Sequence, residues 1–469
     1  MSSTPLTMTV APGIFRQYDI RGVVGRDLTP EAAIAIGGAY ATYLRDHAQA
    51  AVPDLGAVAV GRDNRPSGPE LRDALVDGLT SAGAGVIDIG VVPTPLNYWS
   101  LHHLDVVGGI QITGSHNPPE YNGFKLSVGK GSMHGPEILR LYEIIRSGAI
   151  RRAERKGSVR SEAVIDRYID DIVARTGKLA RTIKVVYDCG NGAGAVVAPA
   201  LFERLGVKGR GLFCESDGTF PNHHPDPTVP ENLEDLIAAV RKDRAECGIA
   251  FDGDADRIGL VDDKGEIVWG DRILILYARD VLARTGAGQP IIFDVKSSQA
   301  LSDAIQRAGG KPIMWKTGHS LIKDKMKETH APVAGEMSGH MFFAEGFYGH
   351  DDALYGAARL LRILADSGKT VRQLLADVPD FVSTPEIRVD VPEEQKFQLV
   401  DKAVRHFRSQ HDVIDVDGVR VLFGDGWGLI RASNTQPVIV ARYEASTPER
   451  LAAIQGEMEG WLRSQGVRV

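Results

Sequence analysis

The sequence predicts an α/β protein of several domains: three similar α/β domains, each a βαβ repeat within a mixed sheet, then a C-terminal α+β domain. Three observations carry this. A length of 469 residues corresponds to about three or four domains of roughly 100 to 200 residues each. One strand, helix, strand plan occurs three times. The C-terminal segment then breaks that plan with a pattern of its own.

The repeats begin with "GAVAVGRDNR" from Gly56, "IKVVYDCGNG" from Ile183 and "QPIIFDVKSS" from Gln289. Each is a short apolar run ending in polar, Asp-bearing turn residues, as a buried strand feeding a loop requires. "PELRDALVDGLTSAG", "VVAPALFERLG" and "SQALSDAIQRAGG" follow, with apolar residues at helical spacing and a glycine as stop signal. A second apolar run closes each unit: "AGVIDIG", "GRGLF" and "KPIMW". This order is a βαβ unit with a right-handed crossover, and units more than 100 residues apart belong to separate domains. From "STPEIRVDV" at Ser383 the pattern alternates, then offers the helix "EEQKFQLVDKAVRHFRSQ", two strands around Asp425 to Gly428 and a closing helix from Pro448. Joints near Arg160, Gly270 and Pro379 give domains 1–159, 160–269, 270–379 and 380–469.

A formal net charge of -7 argues against nucleic acid or an anionic membrane as partner. An anionic substrate therefore needs a local basic site. Cys189, Cys214 and Cys247 are too few and too scattered for a disulfide framework or a zinc site, so they read as core thiols in a reducing compartment. The N-terminal "MSSTPLTMTVAPGIF" lacks the basic and apolar regions of a secretory signal, and no apolar run reaches the ~20 residues of a membrane span. The expected location is the cytoplasm.

Four loops carry chemistry-bearing residues. In "GIQITGSHNPPEYNGFKL", two apolar strands flank a Ser-His-Asn-Pro turn that exposes the Ser115 hydroxyl beside His116, with Lys125 on the returning strand. Alone, the turn is equally a capped strand connection. In "AFDGDADRIGLVD", Asp252, Asp254 and Asp256 crowd three carboxylates that raise one another's pKa unless a cation neutralises them, which suits Mg²⁺ or Ca²⁺. An EF-hand is excluded, because Arg257 holds the glycine position and Asp263 the final glutamate position. A solvated acidic turn is the alternative.

In "AGEMSGHMFF", alternation aims Glu336, Ser338 and His340 to one side of an extended segment, as a polyhydroxylated ligand needs, or else leaves a satisfied polar cluster at a strand end. In "RASNTQPVIVARYEA", Arg431, Ser433, Asn434 and Thr435 offer a guanidinium, hydroxyls and free backbone N–H groups to a phosphate, or form a simple turn between two strands. "GNGAG" at Gly190 lacks the dinucleotide-binding spacing and is read as a tight turn.

"TGSHNP", "DGDADR", "GEMSGH" and "RASNT", in this order, resemble the four signature loops of the α-D-phosphohexomutases, with the bacterial phosphomannomutase/phosphoglucomutase group as the nearest match. "YDIRG" at Tyr18, "GRDNRPSG" at Gly61, "HHPDPTVPENL" at His223, "DVK" at Asp294 and "KTGHSLIK" at Lys316 extend the resemblance over nearly the whole chain. It implies four domains around a central cleft, one loop from each. It implies a phosphoryl carrier at Ser115 and a Mg²⁺ site formed by Ser115, Asp252, Asp254 and Asp256. Arg21, His116, Lys125, Arg257 and His340 are implied as catalytic groups, with the general base left open among His116, Lys125 and His340. Tyr18, Lys296, His319, Glu336, Ser338, Arg431, Ser433, Asn434 and Thr435 are the implied substrate contacts.

The implied reaction interconverts hexose 1- and 6-phosphates of glucose or mannose through a bisphosphorylated sugar, with glucose 1,6-bisphosphate as activator. A monomer and a homodimer are both compatible. Ala255 stands where many relatives have glycine, Gln436 follows the phosphate-loop Thr435, and about ten residues precede "GIFRQYDIRG" as a flexible lead. Rival readings are a phosphoglucosamine mutase, against which Met337 argues, a non-catalytic sugar-phosphate binding protein, and a metal-dependent phosphatase.

Overall fold

The computed structural model describes residues 10–47, 55–434 and 436–469. The expected flexible lead falls mostly outside them. Contacts group the chain into two compact units, Met1–Ile273 with Ser338–Gln373, and Leu274–Met337 with Leu374–Val469.

The first unit holds two mixed sheets. One runs in the order Ile20–Val23, Tyr121–Val128, Gly108–Ile112, Ala57–Arg62, Gly85–Val91, Val159–Ser161. Ala57–Arg62 and Gly85–Val91 are parallel and joined by the helix Gly68–Ser81, so the first βαβ repeat forms as read. Gly108–Ile112 and Tyr121–Val128 pair antiparallel with Gln111 opposite Lys125, so the residues between them make a hairpin loop. The helices Pro30–His47, Gly68–Ser81 and Pro136–Arg146 contribute Ile36, Tyr40, Leu75, Leu79, Ile138 and Leu141 to the core of this domain.

The other sheet runs Ile267–Val268, Ile258–Asp262, Cys247–Phe251, Lys184–Asp188, Lys208–Leu212. Lys184–Asp188 and Lys208–Leu212 are the second repeat, again parallel. Cys247–Phe251 turns back into Ile258–Asp262 with Phe251 opposite Ile258, which leaves 252–257 as a six-residue hairpin loop. Both strands are buried along their whole length, so the loop leaves a rigid support.

In the second unit, Pro290–Asp294 lies parallel to both Lys311–Trp315 and Val333–Gly335, and the helix Gln299–Arg307 completes the third repeat. The C-terminal sheet is antiparallel, in the order Val382–Ser383, Val438–Ala445, Gly426–Ala432, Val419–Leu422, Asp412–Ile414. Helices Glu393–Arg408 and Pro448–Ser464 bury Phe407, Ile454 and Met458 with Ile430, Ile439 and Tyr443 of the sheet. The expected α+β pattern is present, with Asp412–Ile414 as an additional strand that its short, polar start concealed.

Candidate functional site

Ser115 occupies the loop between Gly108–Ile112 and Tyr121–Val128 with φ of 48°, in the left-handed region that a serine seldom adopts. Arg65 holds it there. The guanidinium is fully buried against Asp63 and donates to the carbonyls of Ser115 at 2.8 Å, Asn117 at 2.6 Å, Pro118 at 2.6 Å and Tyr121 at 3.0 Å. Asp63 also accepts from the Gly114 N–H at 3.0 Å. The turn thus aims the Ser115 hydroxyl inward. It is only 3% exposed, and its Oγ donates to Asp252 Oδ2 at 2.8 Å. This corrects the expectation of an exposed hydroxyl: the twisted backbone points the side chain into the neighbouring acidic loop.

Asp252, Asp254 and Asp256 come together as expected, with a ligand atom from each within 4.8 Å of the others. Asp252 Oδ1 caps its own loop by accepting from the N–H groups of Asp256 at 3.1 Å and Arg257 at 3.2 Å. A Cβ on Gly253 would lie 2.3 Å from the Ser115 carbonyl oxygen, so a side chain there would force the two loops apart. Asp254 Oδ2 accepts from Lys125 at 2.8 Å, Thr94 at 2.6 Å and Thr113 at 3.2 Å. Lys125 Nζ also donates to Asp256. Asp254 Oδ1, by contrast, is buried without a hydrogen-bond partner.

Burial and the charges of Asp254 and Asp256 push Asp252 well above the ordinary carboxylate range. Burial works in the same direction on Asp256, but Lys125 and His340 outweigh it and hold that carboxyl low. Three fully buried carboxylates with an orphaned oxygen are a donor set suited to a hard divalent cation.

His116 Nδ1 lies 3.1 Å from Ser115 Oγ, and burial followed by the cations Arg257 and Arg21 lowers its pKa, keeping the ring neutral. His340 Nε2 is 3.2 Å from Asp256 Oδ1 and 3.3 Å from Arg257 Nε, while its Nδ1 is 3.1 Å from Ser338 Oγ. Arg21 donates to the Gly114 carbonyl at 3.1 Å and to Asn117. Tyr18 is half-buried in the same unit.

The segment around Glu336 departs from expectation. The strand Val333–Gly335 ends before it, and residues 337–339 turn, with Gly339 at φ of 93°. Alternation therefore does not hold, because a turn breaks the two-residue period. Glu336 belongs to the second unit, whereas Ser338 and His340 belong to the first.

In the second unit, Glu336 Oε1 accepts from the Gly318 N–H at 2.6 Å, next to the buried His319. Lys296 Nζ donates to Glu386 at 2.5 Å, and the Lys296 charge holds Glu386 down to about 2. Burial would lower Lys296, but Glu386 and Asp294 outweigh it and keep the ammonium charged. Arg431 Nε donates to Asp417 Oδ2 at 2.9 Å, and the same oxygen accepts from the Thr317 N–H at 3.1 Å. The Ser433 N–H is not free for a ligand: it donates to the Val438 carbonyl at 3.0 Å, closing the hairpin. Ser433 Oγ accepts from the Gln436 N–H at 3.2 Å, Asn434 follows in the same turn, and Thr435 lies outside the described residues.

Arg65, Thr94 and Asp351 are residues that the sequence reading did not single out. Arg65 lies in the quoted "GRDNRPSG", where an arginine two residues after Asp63 was the available signal. Asp351 lies with Asp256 and His340 in a second buried group whose ligand atoms fall within 4.8 Å. Thr94 opens the helix Thr94–His103 and gave no signal, because its partner Asp254 is 160 residues away.

Four family models match in succession: phosphoglucomutase/phosphomannomutase alpha/beta/alpha domain I over residues 12–151, domain II over 166–265, domain III over 269–381 and the C-terminal domain over 386–460. The chain belongs to the phosphoglucomutase/phosphomannomutase family. It is thereby an α-D-phosphohexomutase of the bacterial group. It is similar to a phosphomannomutase/phosphoglucomutase of Pseudomonas putida, 48% identical over 94% of each chain. A protein of the same name from Pseudomonas aeruginosa is 46% identical over 98% of each. Among solved structures, a phosphoglucomutase/phosphomannomutase family protein of Burkholderia thailandensis superposes with a TM-score of 0.89 at 44% identity, covering 97% of this chain and 98% of that one. No helix among the described residues is long and apolar enough to cross a membrane.

Proposed function

We propose that the chain is a phosphohexomutase that interconverts the 1- and 6-phosphates of glucose and mannose, with Ser115 as phosphoryl carrier and Mg²⁺ at Asp252, Asp254 and Asp256. The observation that carries this reading is the 2.8 Å contact of Ser115 Oγ with Asp252, in a family whose 46–48% identical relatives bear both mutase names. When bound, Mg²⁺ would neutralise charge on the transferring phosphoryl group.

In the forward half-reaction the Ser115 O–P bond breaks as the phosphoryl forms a new bond to a free hydroxyl of the hexose phosphate, and that hydroxyl's proton passes to a base. The resulting bisphosphate rebinds end for end, its other phosphoryl returns to Ser115, and the proton is restored to the sugar oxygen. Arg257 and Arg21 would stabilise the charge that develops during transfer. Lys125 is held well above its ordinary pKa: burial opposes this, but Asp254 and Asp256 win, so it serves as a fixed cation. That leaves His116, whose Nδ1 lies 3.1 Å from Ser115 Oγ, and His340 as the groups assigned to take the proton.

Glu336 and Ser338 are assigned to the sugar hydroxyls, Tyr18, Lys296 and His319 to further substrate contacts, and Arg431, Ser433, Asn434 and Thr435 to the phosphate that is not reacting. Loss of the bisphosphate would strand an unphosphorylated enzyme, so glucose 1,6-bisphosphate is expected to activate it. The expected site of action is the cytoplasm. Sites without a partner for the 2-hydroxyl discriminate weakly between its epimers. We therefore expect kcat/KM for glucose 1-phosphate and mannose 1-phosphate to agree within ~100-fold, with N-acetylglucosamine 1-phosphate much poorer. Activity should vanish on exhaustive chelation and return with Mg²⁺. A metal-independent rate, or a larger preference between the two epimers, would overturn the assignment.

A further inference from the structure

Of the three cysteines read as core thiols, Cys189 and Cys247 are buried and Cys214 is half-buried, and the fold brings two of them together. Cys189 directly follows the strand Lys184–Asp188, and Cys214 lies just beyond its parallel neighbour Lys208–Leu212. Phe213, directly before Cys214, adopts φ of 50°, and the Cys189 N–H donates to the Leu212 carbonyl at 3.1 Å. The two Sγ atoms are 3.4 Å apart. A disulfide needs about 2.05 Å, so only a small closing motion separates the thiols from a bond.

The two cysteines differ as an attacking and a resolving thiol should. Cys189 is fully buried, whereas Cys214 is half-buried and reachable from solvent. The hydrogen bond between the two thiols favours the thiolate on Cys214, helped by Tyr187 and despite its partial burial, and with burial it raises the Cys189 thiol. A Cβ on Gly211 would lie 2.4 Å from the Cys214 sulfur, so the space for this thiol exists because position 211 has no side chain.

The pair also sits behind the acidic loop. The Cys189 carbonyl accepts from Gly192 N–H at 2.8 Å, Asn191 N–H donates to the Phe213 carbonyl at 2.9 Å, and Ala193 N–H donates to the Gly253 carbonyl at 2.8 Å. Residues 189–193 thus link the two thiols to the middle of the loop that carries Asp252 and Asp254. The turn read from "GNGAG" is a strut for that loop.

We propose that Cys189 and Cys214 form a thiol–disulfide couple, oxidised by low-molecular-weight disulfides, whose closure shifts the 189–193 turn and thereby displaces the acidic loop and lowers activity. The Cys214 thiolate attacks one sulfur of the small disulfide, forming a mixed disulfide and releasing one small thiolate. That thiolate takes the proton of Cys189, whose sulfur then attacks Cys214 and expels the second small thiolate, which is protonated from water. The proton that Cys214 gave up to water balances this. In sum, two protein thiols and one small disulfide become one protein disulfide and two small thiols.

The test equilibrates the full-length protein with set ratios of reduced and oxidised glutathione, blocks remaining thiols with N-ethylmaleimide and maps the digest by mass spectrometry. A peptide pair cross-linked through Cys189 and Cys214 is expected, together with a fall in mutase rate on the order of 10²-fold that dithiothreitol reverses. Cys214→Ser should keep the basal rate and lose the response. Cys247→Ser should retain the response, because Cys247 lies opposite Val185 at the start of its strand. Absence of the cross-link, glutathione retained on Cys214 without closure, or a cross-link that leaves the rate unchanged would each overturn the proposal. The cross-link is read by mass, so its failure is distinguishable from failure of the mutase reading.

Discussion

In the first unit three carboxylates from one six-residue loop are buried together and two of them, Asp254 and Asp256, share the ammonium of Lys125, whereas in the second unit the buried cations Lys296 and Arg431 lean on Glu386 and Asp417. The first arrangement crowds buried carboxylates and leaves an orphaned oxygen, Asp254 Oδ1, a donor set suited to a divalent cation. The second pairs each cation with a carboxylate, an arrangement in which a phosphate oxygen can compete for the same donors. Under the proposed function, the crowded carboxylates serve the chemical step and the paired charges serve grip.

This contrast predicts losses of very different size. Removing the proposed phosphoryl carrier, Ser115→Ala, should lower kcat by ~10⁴-fold or more in a coupled glucose 1-phosphate assay. Retained turnover would detach the acidic loop from the chemistry. Arg65→Met removes the cation from a buried pair and abandons four carbonyls of the Ser115 turn. A loss of about 3–5 kcal/mol is expected, read as a lower urea midpoint for the first unit. A shift too small to measure would mean that the loop holds its left-handed serine without the guanidinium.

In the second unit the expected effect moves to binding. Arg431→Lys keeps the charge but loses the planar fork, and should raise KM for hexose phosphate about tenfold with a smaller change in kcat. An equal fall in kcat with KM unchanged would transfer Arg431 to the chemical step. The smallest effect concerns Ala255, which sits at φ of 55° in the acidic loop. Ala255→Gly relieves left-handed strain but loosens the unfolded chain and loses a buried methyl. Stability read from urea unfolding should therefore change by less than about 1 kcal/mol, with Mg²⁺ dependence retained.

The Asp triad was legible because its ligands are local: three carboxylates within five residues of sequence declare themselves before folding. The three βαβ repeats were legible for the same reason, since strand, helix and stop signals lie within each segment. For Glu336, Ser338 and His340 the expected alternation fails, because a turn with Gly339 at φ of 93° cancels it and only the backbone path reveals it. The proximity of Cys189 and Cys214 was not legible, because 25 residues of chain separate partners that two adjacent strands bring together.

By itself, then, the sequence determined the family, the α/β repeats, the α+β end and the residues of the four loops, all properties of short segments and their order. Tertiary structure alone decided that Ser115 points inward, that Arg65 pins its turn, that Thr94 and Lys125 converge on Asp254, and that Cys189 meets Cys214. Each of these depends on contacts between residues far apart in the chain. Strand register, a left-handed backbone angle and burial fix such contacts, and none of the three is a property of any short stretch of sequence.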